Sequence, residues 1–98
     1  MAYLVMTNKA NVLDLEEFFQ ALMSYNITFV GEDHDSRVAH EAELIILTEL
    51  AGRDPNLVLA LEMFERDVQD VLDAYLKGDI SEHQFLEQSR PWPNYQDD

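Results

Sequence analysis

Hydrophobic residues recur at helical spacing in four stretches of the chain. In the first, Asp14–Ser24, apolar residues stand three and four positions apart, and Asp14 and Glu17 have the spacing of a capping box. The other three stretches run over about residues 36–50, 65–78 and 81–90. This pattern predicts four amphipathic helices.

Two apolar runs without helical spacing predict strands. Ile27–Val30 ends at Gly31, and Leu57–Leu61 is a continuous apolar run, typical of a strand covered on both faces. Together with the helix between them they predict a right-handed strand–helix–strand unit with parallel strands. Tyr3–Met6 is a candidate third strand. The predicted fold class is therefore α/β, a βαβ unit with a short parallel sheet flanked by helices.

The number of predicted strands bears on domain organisation. We expect a single, partial α/β domain over residues 1–90, followed by a tail of proline, aromatic and acidic residues over 91–98. Two or three parallel strands do not make a stable sheet alone. Either the chain forms a homodimer through exposed sheet edges, or it is an incomplete half of a larger α/β domain, and the second interpretation is favoured.

The chain is strongly acidic, with 20 Asp and Glu against 6 Lys and Arg and a net charge of −14. Such a surface repels phosphate backbones and anionic lipid, so we expect no nucleic-acid partner. It suits cations, basic partners or solubility alone. There is no cysteine, which excludes disulfides and thiolate ligands.

The N-terminus has no basic segment followed by a long apolar run, and no stretch approaches the roughly 20 apolar residues of a membrane-spanning helix. We therefore expect no signal peptide or membrane segment and a cytoplasmic chain as written. A leader removed earlier would leave the same sequence.

Residues able to do chemistry follow both predicted strands. Glu32 and His34 follow the first, and Glu62 follows the second. Ligands bind outside the carboxyl ends of parallel strands, so these three are expected at one rim. They could hold a divalent metal or act in general acid–base catalysis. His40, six residues after His34 and one turn into the next helix, is expected at the same rim.

Several of these residues also have purely structural interpretations. Asp35 can cap the second helix, and His83 lies on a polar helix and is expected at the surface. Trp92 and Tyr95 either pin the tail to the body or line a cleft, and the first is favoured.

Two sequence blocks carry a family resemblance. Gly31-Glu-Asp-His-Asp35 and Leu61-Glu-Met-Phe-Glu-Arg-Asp67, at this spacing, resemble the ChaN-like haem-binding family of bacterial proteins. Val71–Ser81 and Trp92–Tyr95 are also similar to that family, so the resemblance spans roughly residues 3–95. It covers nearly the whole chain, which resembles only the N-terminal portion of the family's domain.

The resemblance implies an α/β fold with a parallel sheet core, related to erythromycin esterases and TIKI metalloproteases. In that wider group the matching blocks lie in the active cleft, which here implicates Gly31, Glu32, His34 and Glu62. The family is associated with tyrosine ligation of haem and with dimers that hold paired haems, and the resemblance assigns that tyrosine to no position of this chain.

By resemblance, the chain is a haem-binding protein related to iron uptake, and family members are often membrane-anchored lipoproteins. His34 and His40 are the expected cofactor-binding residues. The first alternative is a metal-dependent hydrolase with Glu32, His34 and Glu62 around a divalent ion. The second is a truncated fragment without independent activity. Whether the chain is an enzyme is left open.

Overall fold

The computed structural model describes residues 3–97. Its elements, in chain order, are β1 (Val5–Met6), β2 (Val12–Leu13), α1 (Leu15–Met23), α2 (Arg37–Arg53), a 3-10 helix (Arg66–Val68), α3 (Gln69–Leu76) and α4 (Glu82–Ser89). These elements fall into two compact units that divide between Leu57 and Val58. The fold is mixed α/β and rich in helix. Within the described residues, no helix is both long enough and apolar enough to span a membrane.

The first unit opens with a β-hairpin. Strands β1 and β2 pair antiparallel, with Val5 opposite Leu13 and Met6 opposite Val12. At the turn, the Thr7 N–H donates to the Asn11 carbonyl oxygen at 2.9 Å. Strand pairing within such a short segment closes only a small loop, which keeps its entropic cost low.

Helix α1 begins at the predicted capping box. The Asp14 carboxylate accepts a hydrogen bond from the Glu17 N–H at 2.8 Å, and the Glu17 carboxylate accepts one from the Asp14 N–H at 3.0 Å. Each bond satisfies a backbone donor that would otherwise have no partner in the helix. The predicted capping box is confirmed.

Helices α1 and α2 pack against each other and supply the buried residues of the first unit, Phe19 and Leu50, which are 4% and 8% exposed. Arg53, the last residue of α2, donates two hydrogen bonds to Glu16, at 3.0 and 2.7 Å. Its guanidinium also lies 5.2 Å from the centre of the Phe19 ring, a cation–π distance. Arg53 therefore joins the end of α2 to the first turn of α1.

An aromatic cluster forms the core of the second unit. Phe85 is 1% exposed, and its ring stacks on Tyr75 at 4.8 Å and lies 5.1 Å from Phe64. The Tyr95 ring lies 6.3 Å from Phe64, and the Tyr95 hydroxyl pairs with the Glu82 carboxylate at 3.1 Å. These contacts confirm, for Tyr95, that the tail is pinned to the body.

A glycine follows the C-terminal end of α3, as predicted. Gly78 has φ 81°, a conformation that residues with a Cβ rarely adopt, and its N–H donates to the Tyr75 carbonyl oxygen at 3.0 Å.

The predicted parallel sheet is absent from residues 3–97. Residues 27–30 and 57–61 have no regular secondary structure, and Phe29 and Val58 are 93% and 86% exposed. The only strand pairing in the described part of the chain is the antiparallel hairpin. A parallel pair must close a loop of about 25 residues before its hydrogen bonds form, whereas the hairpin closes a short one. The parallel-sheet prediction is therefore wrong, and the number of strands gives no support to the half-domain inference. The coarser prediction of a mixed α/β chain is confirmed.

Two predicted boundaries also need correction. Ser36, not Asp35, caps α2: its hydroxyl accepts a hydrogen bond from the Ala39 N–H at 3.2 Å. Ser36 has the extended backbone of an N-cap, and this places Asp35 one residue too early. The candidate strand over residues 3–6 is confined to Val5–Met6 and belongs to the hairpin.

Candidate functional site

A tight turn positions the predicted site residues before α2. The Ser36 N–H donates to the Asp33 carbonyl oxygen at 2.8 Å, and the Asp35 N–H lies 3.4 Å from the Asp33 carboxylate. Helix α2 begins directly after Ser36, and the His40 N–H donates to the Ser36 carbonyl oxygen at 3.1 Å. The turn and the first helical turn thereby bring together side chains that are up to eight positions apart.

Glu32, His34 and His40 form one cluster, which we call the His–Glu–His cluster. One oxygen of the Glu32 carboxylate contacts His34 Nδ1, and the other lies 3.4 Å from His40 Nε2. The Glu32 side chain is 9% exposed, His40 14% and His34 52%. A nearly buried carboxylate thus lies between a covered imidazole and a half-exposed one.

This arrangement can prepare His34 to act as a ligand. A carboxylate that accepts a hydrogen bond from Nδ1 places the ring proton on that atom, and the lone pair is then carried by Nε2. The carboxylate also fixes the ring orientation. His34 in this form is suited to coordinate a metal centre such as haem iron.

A basic residue, Arg37, lies between His34 and His40 in the sequence. Arg37, the first residue of α2, is 91% exposed, and its Nε lies 3.5 Å from the Glu41 carboxylate. Sequence reasoning did not select Arg37. Its signal was available, because it is one of only 6 basic residues in the chain and follows His34 by three positions.

Glu62 belongs to the second unit, where it is exposed in a bend over residues 62–64. Between residues 3 and 97, no group of three or more Asp, Glu or His side chains has an arrangement that could hold a metal ion by itself. The catalytic and metal-binding roles of Glu32, His34 and Glu62 stay predictions. His83, as expected, is on the surface: its side chain is 83% exposed and lies 3.2 Å from Glu87.

The His–Glu–His cluster fits haem on the chemistry of its donors. Haem iron takes an imidazole nitrogen as a ligand, and the His34 imidazole is here half-exposed with its Nδ1 against a carboxylate. The apolar residues that precede the cluster are exposed as well, with Phe29 at 93% and Val30 at 46%. Exposed apolar side chains suit the flat, largely apolar face of a porphyrin.

Comparison with known proteins agrees with this chemistry. The family model described as "Haem-binding uptake, Tiki superfamily, ChaN" matches residues 18–98. No curated protein and no solved structure shows a significant match to the chain. The family match includes the His–Glu–His cluster and all of the second unit, and it extends over most of the chain. The chain therefore belongs to the ChaN family of haem-binding uptake proteins in the Tiki superfamily.

Proposed function

We propose that this chain binds haem at the His–Glu–His cluster, with His34 as the ligand to the iron. The observation that carries the proposal is the Glu32 carboxylate, which contacts both imidazoles while it is itself 9% exposed. Membership of a haem-binding uptake family supports the same ligand class.

Each residue of the cluster has its own role. His34, the more exposed imidazole, offers Nε2 to the iron because Glu32 holds its Nδ1. His40 covers the second carboxylate oxygen of Glu32, which lies 3.4 Å from its Nε2. Bound haem supplies an iron centre that accepts the imidazole lone pair; the chain supplies the ligand and its orientation.

The surroundings of the cluster supply the remaining contacts. Phe29 and Val30 offer apolar surface to the porphyrin face, which buries apolar area on binding. The two haem propionates are anionic, and a chain of net charge −14 repels them. Arg37, nearly fully exposed at the start of α2, is positioned to pair with one propionate.

Titration of the protein with haem, followed by the Soret absorbance, tests the proposal. The unmodified chain is expected to bind about one haem per chain, and His34→Ala is expected to lower the affinity by at least about 10-fold. His83→Ala is the matched control, because it removes an imidazole that also pairs with a glutamate but lies on α4.

Equal affinity of His34→Ala and His83→Ala would contradict the assignment of His34. Absence of any spectral change at stoichiometric haem would contradict haem binding altogether.

A further inference from the structure

Helix α2 carries apolar residues on its solvent-exposed side as well as on its buried side. Leu50, on the buried side, is 8% exposed, whereas Val38 is 41% exposed, Leu44 64% and Ile45 41%. Ile45 and Leu50 are five residues apart, which places them about 140° apart around the helix axis. Because a helix that is apolar on both sides is typically covered on both sides, the exposed side has the composition of a contact surface.

An open recess of about 320 Å³ lies on this exposed side and is lined by Leu44, Ile45, Thr48 and Glu49. We call these four residues, together with Val38 and Glu41, the α2 outer face. The Thr48 hydroxyl donates to the Leu44 carbonyl oxygen at 2.7 Å, so it is satisfied within the helix. The Glu49 carboxylate, on a side chain that is 48% exposed, adds a negative charge at the recess. The recess therefore combines apolar surface with one carboxylate.

Two carboxylates flank the apolar part of the α2 outer face. Glu41 precedes Ile45 by four residues and Glu49 follows it by four, so the two lie on the same side of the helix, about 12 Å apart along its axis. Glu41 lies 3.5 Å from Arg37, and Glu49 lies 3.5 Å from Arg53, whose shorter hydrogen bonds go to α1. Exposed ion pairs of this kind contribute little, so the cations of a partner can compete for both carboxylates.

We propose that the α2 outer face binds a basic amphipathic helix of another protein. Apolar residues of that helix contact Leu44 and Ile45, and a lysine or arginine lies near each of Glu41 and Glu49. The proposal does not depend on haem binding.

Charge favours a basic partner over other occupants of this face. The net charge of −14 attracts cationic segments and repels acidic ones. A second copy of this chain would bring its own Glu41 and Glu49 against the same two carboxylates, and like charges in contact cost free energy. An anionic membrane surface is repelled for the same reason.

The spacing of the carboxylates describes the partner further. Basic residues about seven or eight positions apart on a helix span roughly the distance between Glu41 and Glu49. Apolar residues at helical spacing between them then face the recess, as in other complexes in which an amphipathic helix lies in an apolar groove. The aliphatic stem of each lysine or arginine adds apolar contact beside Ile45.

Binding of a fluorescein-labelled peptide to the full chain tests the proposal. The probe is a helical peptide of about 14 residues with leucine along one side and lysine at both borders of that side. The control peptide has the same composition in an order that gives no apolar side. By fluorescence anisotropy at about 0.15 M salt, we expect the probe to bind with at least about 10-fold higher affinity than the control peptide.

Substitutions on α2 locate the binding site. Ile45→Lys and Leu44→Lys are each expected to lower the affinity for the probe by at least about 10-fold, because each removes apolar contact area and adds a like charge. Leu76→Lys is the matched control: it changes the net charge equally at a residue of α3 that is 72% exposed, and it should leave the affinity unchanged. Circular dichroism checks that the helices remain. Leu44, at 64% exposed, keeps the test valid if Ile45→Lys disturbs the helix.

Neutralisation of Glu49 tests the charge contact separately. Glu49→Gln is expected to weaken binding of the probe by about 3-fold and to reduce its dependence on salt, whereas Glu87→Gln on α4 should do neither. Equal weakening in these two variants would contradict the contact with Glu49.

Three results would overturn the proposal as a whole. Equal affinity for the two peptides would show that charge alone attracts them. Equal weakening by Leu44→Lys and Leu76→Lys would place the probe away from the α2 outer face. Self-association of the unmodified chain that Ile45→Lys removes would make a second copy the occupant of this face.

Discussion

His40 Nε2 lies 3.4 Å from Glu32 Oε2, and both side chains are largely withdrawn from solvent. Glu32 precedes α2 and His40 belongs to its first two turns, so the contact ties the loop to the helix. The other carboxylate oxygen contacts His34 Nδ1. Because a single carboxylate lies against both imidazoles, we expect replacement of Glu32 to affect haem binding.

Replacement of Glu32 by glutamine removes the charge and keeps the size of the side chain. We expect haem affinity to fall by about 10- to 100-fold, because outer-shell partners of a ligand histidine typically contribute this much. Haem titration of Glu32→Gln gives the measurement. Glu87→Gln is the control, since it neutralises the partner of the exposed His83. An affinity equal to that of the Glu87→Gln variant would show that Glu32 does not support the ligand.

Reversal of the charge at Arg37 tests the propionate contact. Arg37→Glu is expected to weaken haem binding by about 5-fold, roughly 1 kcal/mol, because an exposed ion pair is lost. Arg66→Glu is the control, because it changes the net charge equally at an exposed position of the second unit. It distinguishes loss of the propionate contact from general charge repulsion. Equal weakening in both variants would contradict a direct role for Arg37.

The Glu16–Arg53 pair makes the stability of the folded chain depend on pH. The hydrogen bonds from Arg53 hold the pKa of the Glu16 carboxyl below its usual value. A lowered folded-state pKa adds stability above the unfolded-state pKa of about 4.5, and this stability is lost as pH falls through the folded-state pKa.

Urea unfolding of the unmodified chain and of Glu16→Gln, at about pH 7 and again at about pH 3, measures the effect. At the higher pH, the unmodified chain should have a larger free energy of unfolding than Glu16→Gln. At the lower pH, the difference between the two chains should be smaller. A difference that does not change with pH would contradict the ionic role of Glu16.

Tyr95 should titrate at a higher pH than an ordinary tyrosine. Burial raises the pKa of its hydroxyl, and its hydrogen bond to Glu82 raises that pKa further. Because the folded state favours the protonated form, this contribution to stability is complete below about pH 10 and is lost as pH rises through the folded-state pKa. Ultraviolet titration of tyrosinate, with Tyr95→Phe as the reference, measures it. If the group missing from the Tyr95→Phe titration is instead a tyrosine that titrates at an ordinary pH, the contact between Tyr95 and Glu82 is contradicted.

Features encoded within a few residues could be predicted from the sequence. The capping boxes at Asp14 and Ser81 depend on side chains three positions away, and both are present. The same reasoning selected the wrong cap for α2, because Asp35 and Ser36 are adjacent candidates and composition does not choose between them.

Features that need distant pairing could not be predicted. Ile27–Val30 and Leu57–Leu61 have the composition of strands, but composition does not provide the neighbouring backbone that a strand requires. Part of the predicted site depends only on a short turn and the start of a helix, and there the structure brings Glu32, His34 and His40 together. The place of Glu62 beside them rested on the parallel sheet, and its role stays a prediction.

Resonance Raman spectroscopy of the ferrous haem complex tests the central claim most directly. The iron–histidine stretching band should be present, should shift when the histidines carry ¹⁵N, and should disappear in His34→Ala while it persists in His83→Ala. A band that is unchanged in His34→Ala would contradict His34 as the ligand to haem iron.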